Sequence, residues 1–232
     1  MAVRCVLITG AAGHLGRAVA AAFAAEGARL VLLDRERALL EAAFGGDSAA
    51  QMLAPCDLLD AAQLQAAVDT ALTRFGRIDV LCNIAGGFRM GEAVHETSDA
   101  NWDFLLDLNA RTLLHMARAV VPAMLKADGG KIVNVGAFSA GKGLAQMGAY
   151  TASKAVVMRL TEAMAAELRE RGINVNCVLP TVIDTPDNRA AMPDADPARW
   201  VAPADLAAVI RFLASDAARA VHGAALPVTG LS

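Results

Sequence analysis

Aromatic side chains are scarce in this sequence: Phe, Tyr and Trp together make up 4% of 232 residues, with a single tyrosine. Cysteine is scarce as well. Cys5, Cys56, Cys82 and Cys177 are widely spaced, lie in or beside predicted strands and form no CxxC pair, and the four histidines are equally scattered. That pattern excludes a metal site and leaves the cysteines as small reduced core residues. No apolar run reaches the roughly 20 residues that a membrane-spanning helix needs, so no membrane partner is expected. The opening "MAVRCVLITG" enters a strand pattern at once and lacks the cleavage region of a signal peptide, which makes the cytoplasm the expected compartment. A net charge of −3 without a basic stripe argues against nucleic acid as a partner. Internal repeats and low-complexity linkers are absent too.

What the chain does have is apolar bulk in short pieces. Hydrophobic residues are 56% and charged residues 19% of the total, enough to fill a large core. Much of that apolar content is alanine, which suits closely packed helices. Short β-rich runs at 4–9, 29–34, 51–57, 78–85, 131–137, 173–179 and 224–229 alternate with helical stretches at 14–26, 35–44, 60–75, 100–127, 149–171 and 203–215. Several of the strands are apolar at nearly every residue, as in a parallel sheet covered by helices on both faces. Right-handed βαβ crossovers then predict one α/β domain over 1–232, a doubly wound parallel sheet. The exception to the alternation is 181–202, "TVIDTPDNRAAMPDADPARWVA". It follows a strand, so it is expected over the carboxyl edge of the sheet as a substrate loop, with Trp200 as its anchor.

"LITGAAGHLG" sets Gly10, Gly13 and Gly16 between a strand and a helix. Such a turn brings main-chain amides, here with His14 and Leu15, close to a pyrophosphate, and the helix amino terminus adds positive potential. Asp34 closes the second strand, where a carboxylate can accept both ribose hydroxyls of an adenosine and repel a 2′-phosphate. A Rossmann-type dinucleotide fold follows, with NADH preferred over NADPH, although the Arg35 guanidinium beside Asp34 pulls toward a phosphate. Asp57, ending the third strand, either contacts the adenine amino group or serves as a turn or N-cap aspartate.

Together with "CNIAGG" (82–87), Asn109 in "WDFLLDLNARTLL", "YTASK" (150–154) and "LPTVIDTP" (179–186), these residues resemble the short-chain dehydrogenase/reductase family across essentially the whole chain. The resemblance implies an NAD(P)-dependent oxidoreductase with coenzyme contacts from Leu58, Asn83, Ala85, Gly86, Pro180, Tyr150 and Lys154. It also implies that Thr185 bonds the nicotinamide carboxamide, that the Ile183 backbone approaches the same group, and that Asn109 bends its helix and holds a water leading from Lys154 to solvent. Paired-helix association through 100–127 and 149–171, giving a homodimer or homotetramer, follows from the same likeness. Three departures stand out: His14 takes the place of a family glycine, Thr181 replaces another, and Ala137 stands where the family keeps a serine. The loop "DTPDNRAAMPDADPARW", "AGG" at 85–87 and "GAYTASKAVV" at 148–157 are similar to dihydropteridine reductases, which likewise carry alanine at the serine position.

Tyr150 and Lys154 are four apart on one predicted helix and share a face. An ammonium near a phenol is expected to pull its pKa down toward working pH, so that the tyrosine exchanges a proton with a small-molecule substrate as hydride moves. The missing serine admits two explanations. Ser139 could substitute, but along an extended chain it lies about 6.5–7 Å from position 137, too far unless the loop turns back or the substrate is larger. Alternatively, the acceptor is a planar imine-like ring such as quinonoid dihydropterin, over which charge spreads, so that Tyr150 suffices. Under the first explanation the enzyme is a ketone or 3-oxoacyl reductase, or an alcohol dehydrogenase, using Ser139 or water. A silent dinucleotide-binding scaffold is the remaining alternative. Phe88, Arg89, Phe138, Asp184, Asn188 and Arg189 are candidates for bordering the substrate.

Overall fold

The computed structural model describes residues 3–232. Seven strands form one parallel sheet: β1 (Cys5–Thr9), β2 (Arg29–Asp34), β3 (Gln51–Pro55), β4 (Val80–Asn83), β5 (Gly130–Val135), β6 (Ile173–Pro180) and β7 (Ala225–Val228), in the order β3-β2-β1-β4-β5-β6-β7. Helices α1 (His14–Ala24), α2 (Arg37–Phe44), α3 (Ala61–Phe75), α4 (Asp99–Leu106), α5 (Thr112–Lys126), α6 (Gly148–Leu168), α7 (Pro186–Ala191) and α8 (Pro203–Leu213) make the crossovers. The order reverses between β1 and β4, which opens a crevice at the carboxyl ends of these two strands.

Both faces of the sheet are buried, so strand residues alternate between two cores rather than between core and water. Val6, Ile8, Leu30 and Leu32 pack with α1 and α8 on one face. Cys5, Leu7, Val31 and Leu33 pack with α3 and α5 on the other. All four cysteines are buried and unpaired in disulfides, and burial pushes their thiols up, Cys82 to about 12. Among the described residues there is no cluster of three or more metal-ligating side chains, and no helix is long and apolar enough to cross a membrane.

Two expected elements come out differently. The helix read over 100–127 is broken into α4 and α5 by a five-residue π turn, Asp107–Arg111. A periodicity of apolar residues does not register the one extra residue that a π turn inserts, and such turns gather at functional sites. The stretch 181–202 is not a plain loop. It contains α7, capped by the Thr185 hydroxyl, and a short 3-10 turn, Pro197–Arg199, before the buried Trp200.

A polar seam crosses the otherwise apolar core. Asn83 on β4 and Asn134 on β5 are paired in register. Asn83 Nδ2 donates to Asn134 Oδ1 at 2.8 Å, and Asn134 Nδ2 donates to Thr161 Oγ1 on α6 at 2.9 Å. Asn83 Oδ1 is left without a partner. A buried amide that loses its acceptor costs about 1–3 kcal/mol. Asn134→Leu should therefore lower the melting temperature by roughly 3 to 10 °C, and Asn83→Leu added to it should restore part of the loss, since removing both partners leaves no orphan. A single variant that melts at or above the wild type in calorimetry would contradict this account of the seam.

Candidate active site

The glycine turn is built by close approach. Gly10 has φ +62°, and a Cβ there would sit 2.9 Å from the Ala85 main chain; one on Gly16 would sit 2.2 Å from the Gly10 carbonyl oxygen. Both glycines hold α1 and the β4 exit against the turn. At Gly13, the residue before the helix, an added Cβ would lie 3.4 Å from the Gly10 carbonyl and otherwise point into open space. The main-chain N–H groups of His14, Leu15 and Gly16 have no acceptor among the described residues. Three orphan donors at a helix amino terminus, next to a glycine that leaves room, suit a pyrophosphate. Asp34 sits across from them. Its Oδ2 accepts from Ala12 N–H at 3.0 Å and its Oδ1 from Arg35 N–H at 2.8 Å, which fixes the carboxylate with lone pairs to spare for ribose hydroxyls. The Arg35 side chain is exposed, 3.9 Å from Glu36.

Asp57 makes a turn bond, its Oδ1 accepting from Leu59 N–H at 2.9 Å, while Asp60 caps α3. Leu58 is held by His115, whose Nδ1 donates to its carbonyl at 2.9 Å. Asn83 is 7% exposed, with its amide turned into the polar seam. Thr9 Oγ1 instead orders the segment beyond it, accepting from Ile84 and Ala85 N–H.

Asn109 is 3% exposed, which rules out a solvated helix residue. The π turn carries its amide inward, where Oδ1 accepts from Gly87 N–H at 2.9 Å while Nδ2 donates to the Gly87 carbonyl and to Ser153 Oγ, each at 3.0 Å. Ser153 Oγ in turn donates to the Tyr150 carbonyl at 2.8 Å. Gly86 has to be a glycine here: its Cβ would lie 2.9 Å from Asn109 Oδ1 and 3.0 Å from Lys154 Nζ. The three motifs thus meet at one point. Ser153 belongs to the site and was not singled out from the sequence, where a serine between two motif residues carries no periodicity or spacing signal.

Lys154 is 5% exposed, and its ammonium donates to the Val135 carbonyl at 2.9 Å. Burial pushes its pKa down to about 8, partly offset by nearby Cys177. Burial also pushes the Tyr150 phenol up to about 12. This runs opposite to the expected depression of the phenol: desolvation disfavours the charged form of each group. Tyr150 is therefore held as a neutral phenol. The Phe88 ring packs edge-on against it, centroids 4.8 Å apart and planes at 85°.

Ala137 is 4% exposed, and the chain turns into a 3-10 helix, Phe138–Gly141, directly after it. The extended-chain estimate for Ser139 does not apply, because Ala140 N–H already bonds back to the Ala137 carbonyl at 3.1 Å. The Ser139 side chain makes no hydrogen bond with any described residue. Of the other candidates, Arg89 is parked over the Phe104 ring, 3.5 Å from its centroid. Arg189 forks onto Asp184 at 2.6 and 2.7 Å. Ile183 and Thr185 follow Pro180, the last residue of β6, at the carboxyl edge.

The profile of the family described as short chain dehydrogenase matches residues 4–196. This chain belongs to the short chain dehydrogenase family. The D-threitol dehydrogenase of Mycolicibacterium smegmatis is 40% identical over 236 residues, 97% of this chain and 90% of that protein. The galactitol 2-dehydrogenase (L-tagatose-forming) of Cereibacter sphaeroides is 37% identical over 242 residues, 97% and 93% of the two chains. A 3-ketoacyl-(acyl-carrier-protein) reductase from Brucella melitensis, solved in complex with NADH, superposes with a TM-score of 0.86 at 31% identity, covering 98% of this chain and 97% of that one. The chain is an NAD(P)-dependent oxidoreductase of this family, and the glycine turn, the orphan amides and Asp34 fit the dinucleotide.

The Lys154 pKa carries a stability consequence. Its folded value, about 8, lies below the ordinary 10.5, so between those values the unfolded chain binds more protons and stability rises with pH. Below about 8 the cost of the buried ammonium is present in full, about 3 kcal/mol for a shift of this size. Lys154→Met removes that cost. Urea melts should find the variant gaining least relative to wild type at pH 10.5 and about 3 kcal/mol more at pH 7; a difference independent of pH would place the ammonium in a solvated site.

Proposed function

We propose that this oxidoreductase reduces a planar, conjugated C=N or C=O acceptor, with quinonoid dihydropterin as the specific candidate. The observation that carries the reading is Ala137, a buried methyl where the family keeps a hydroxyl. A simple ketone concentrates charge on one oxygen, and losing a donor there costs roughly 2.7–4 kcal/mol in the transition state. A conjugated ring spreads the charge instead, so one acid suffices. The exposed Phe88, edge-on to Tyr150, offers a flat ring an apolar wall.

A nicotinamide coenzyme supplies the hydride. Tyr150, kept protonated by burial, delivers the proton from its phenol oxygen to the ring nitrogen or oxygen, so that hydride and proton together saturate one double bond. Lys154, held by Val135, bonds the nicotinamide ribose and keeps positive charge near the phenolate left behind. Asn109 fixes Gly87 and, through Ser153, the turn of α6 that carries Tyr150. Asp34 favours NADH by accepting ribose hydroxyls and repelling a 2′-phosphate. Ile183 and Thr185 take the nicotinamide carboxamide.

A second reading, oxidation of a secondary hydroxyl on a small polyol, is favoured by the names of the two curated relatives, and it would need Ser139 or a water as second donor. Steady-state assays separate the two. The first reading expects rapid NADH oxidation by quinonoid dihydropterin, slower with NADPH unless Asp34→Ala is introduced, unaffected by Ser139→Ala and reduced by about 10²–10⁴-fold in Tyr150→Phe. Pterin turnover at the uncatalysed background, with D-threitol-dependent NAD reduction that falls in Ser139→Ala, would establish the second.

A groove of about 520 Å³ lies between α5 and α6, away from Tyr150, and is lined by Leu114, Ala117, Val121, Leu160, Ala163 and Met164. Small and apolar side chains let helix pairs approach closely, and we read this face as the seat of a second copy, in a homodimer or homotetramer. Light scattering should give a mass of two or four times 24.0 kDa, and Ala163→Glu should collapse it toward one chain. An active wild-type particle of 24.0 kDa would rule the pairing out.

A further inference from the structure

The segment after β6 is stapled at its base. Val201 N–H donates to the Val182 carbonyl and Asp184 N–H to the Val201 carbonyl, both at 2.9 Å. From that base α7 folds back onto the residues just before it. The Asn188 main-chain N–H donates to Thr185 Oγ1 at 3.2 Å, and its side-chain Nδ2 donates to the Ile183 carbonyl at 2.8 Å. The neighbouring Arg189 forks onto Asp184. One residue, Asn188, therefore bonds both of the groups read above as partners of the nicotinamide carboxamide.

The chemistry of those two bonds sets what each group can still do. A threonine hydroxyl has one hydrogen and two lone pairs. With a lone pair of Thr185 taken by an N–H, its hydrogen remains free to donate, and a carboxamide oxygen is a fitting acceptor. The Ile183 carbonyl keeps a second lone pair, which suits a carboxamide NH₂. A donor and an acceptor held two residues apart read the orientation of a carboxamide, and so the face of the ring it belongs to. The N–H that caps Thr185 belongs to the backbone and survives substitution. The Ile183 carbonyl is bonded only by the side chain of Asn188 among the described residues.

We infer that Asn188 is a positioning residue for the nicotinamide end of the coenzyme, acting through its grip on the Ile183 carbonyl. The inference rests on the reading of Ile183 and Thr185 as the carboxamide's partners. Asn188 acts at one remove: on a backbone already stapled to Val201 it occupies one lone pair of the Ile183 carbonyl and so sets the direction of the other, and it leaves the adenosine half of the site untouched.

Binding of NADH and of ADP-ribose, which lacks the nicotinamide, tests this without reference to turnover. Asn188→Leu should raise the Kd for NADH about tenfold, leave ADP-ribose within about twofold of wild type, and not change the melting temperature. Asn188→Asp keeps the shape, removes the N–H and should do the same, which preserves the test if the leucine variant does not fold. An unchanged or tighter Kd for NADH in these variants, or ADP-ribose weakened in step with NADH, overturns the role. Thr185→Val is the separate control. If it leaves the ratio of the two affinities unchanged, the carboxamide reading itself fails; if it shifts the ratio and Asn188→Leu does not, only the role of Asn188 falls.

Discussion

The inward turn of Asn109 is the constraint on which the site depends. Its amide bonds Gly87 in both directions and reaches Ser153, tying the exit of β4 to the helix that carries Tyr150 and Lys154. An ordinary α-helix would present that position elsewhere, and the π turn at Asp107–Arg111 is what carries the side chain inside. The same contact dictates the neighbouring sequence. Any side chain at Gly86 would strike both the Asn109 oxygen and the Lys154 nitrogen, so the glycine is required by two polar atoms rather than by a turn. Because all these atoms are buried, each bond matters more than its net strength suggests: a lost partner leaves a desolvated group behind.

Burial then sets the charge state of the site. Desolvation disfavours the charged form of both groups, raising the phenol to about 12 and lowering the ammonium to about 8. The lysine meets part of its own cost by bonding the Val135 carbonyl, while the phenol, raised by burial alone, stays neutral.

The order of elements was readable in the sequence because apolar runs and alanine-rich stretches report what a two-faced parallel sheet needs. β2 has the same ends as expected, Arg29–Asp34, and the glycine turn sits where its spacing put it. What stayed hidden depends on contacts between distant residues. The π turn is one inserted residue in a helical period. The polar seam of Asn83, Asn134 and Thr161 spans two strands and a helix, which no local pattern reports. The Tyr–Lys spacing gave the shared face correctly but said nothing of burial, so the direction of the phenol's shift came out reversed.

Ala137 shows how local geometry narrows a chemical question that composition leaves open. With an extended chain, Ser139 would share the face of position 137, and a longer substrate could bridge the gap. The chain instead enters a 3-10 turn at Phe138, where residues step around an axis rather than alternating across a sheet, so the extended-chain separation no longer measures where Ser139 lies. The buried Ala137 methyl and the exposed Phe88 ring, edge-on to Tyr150, give this part of the site an apolar side that position 137 as a serine would have made polar.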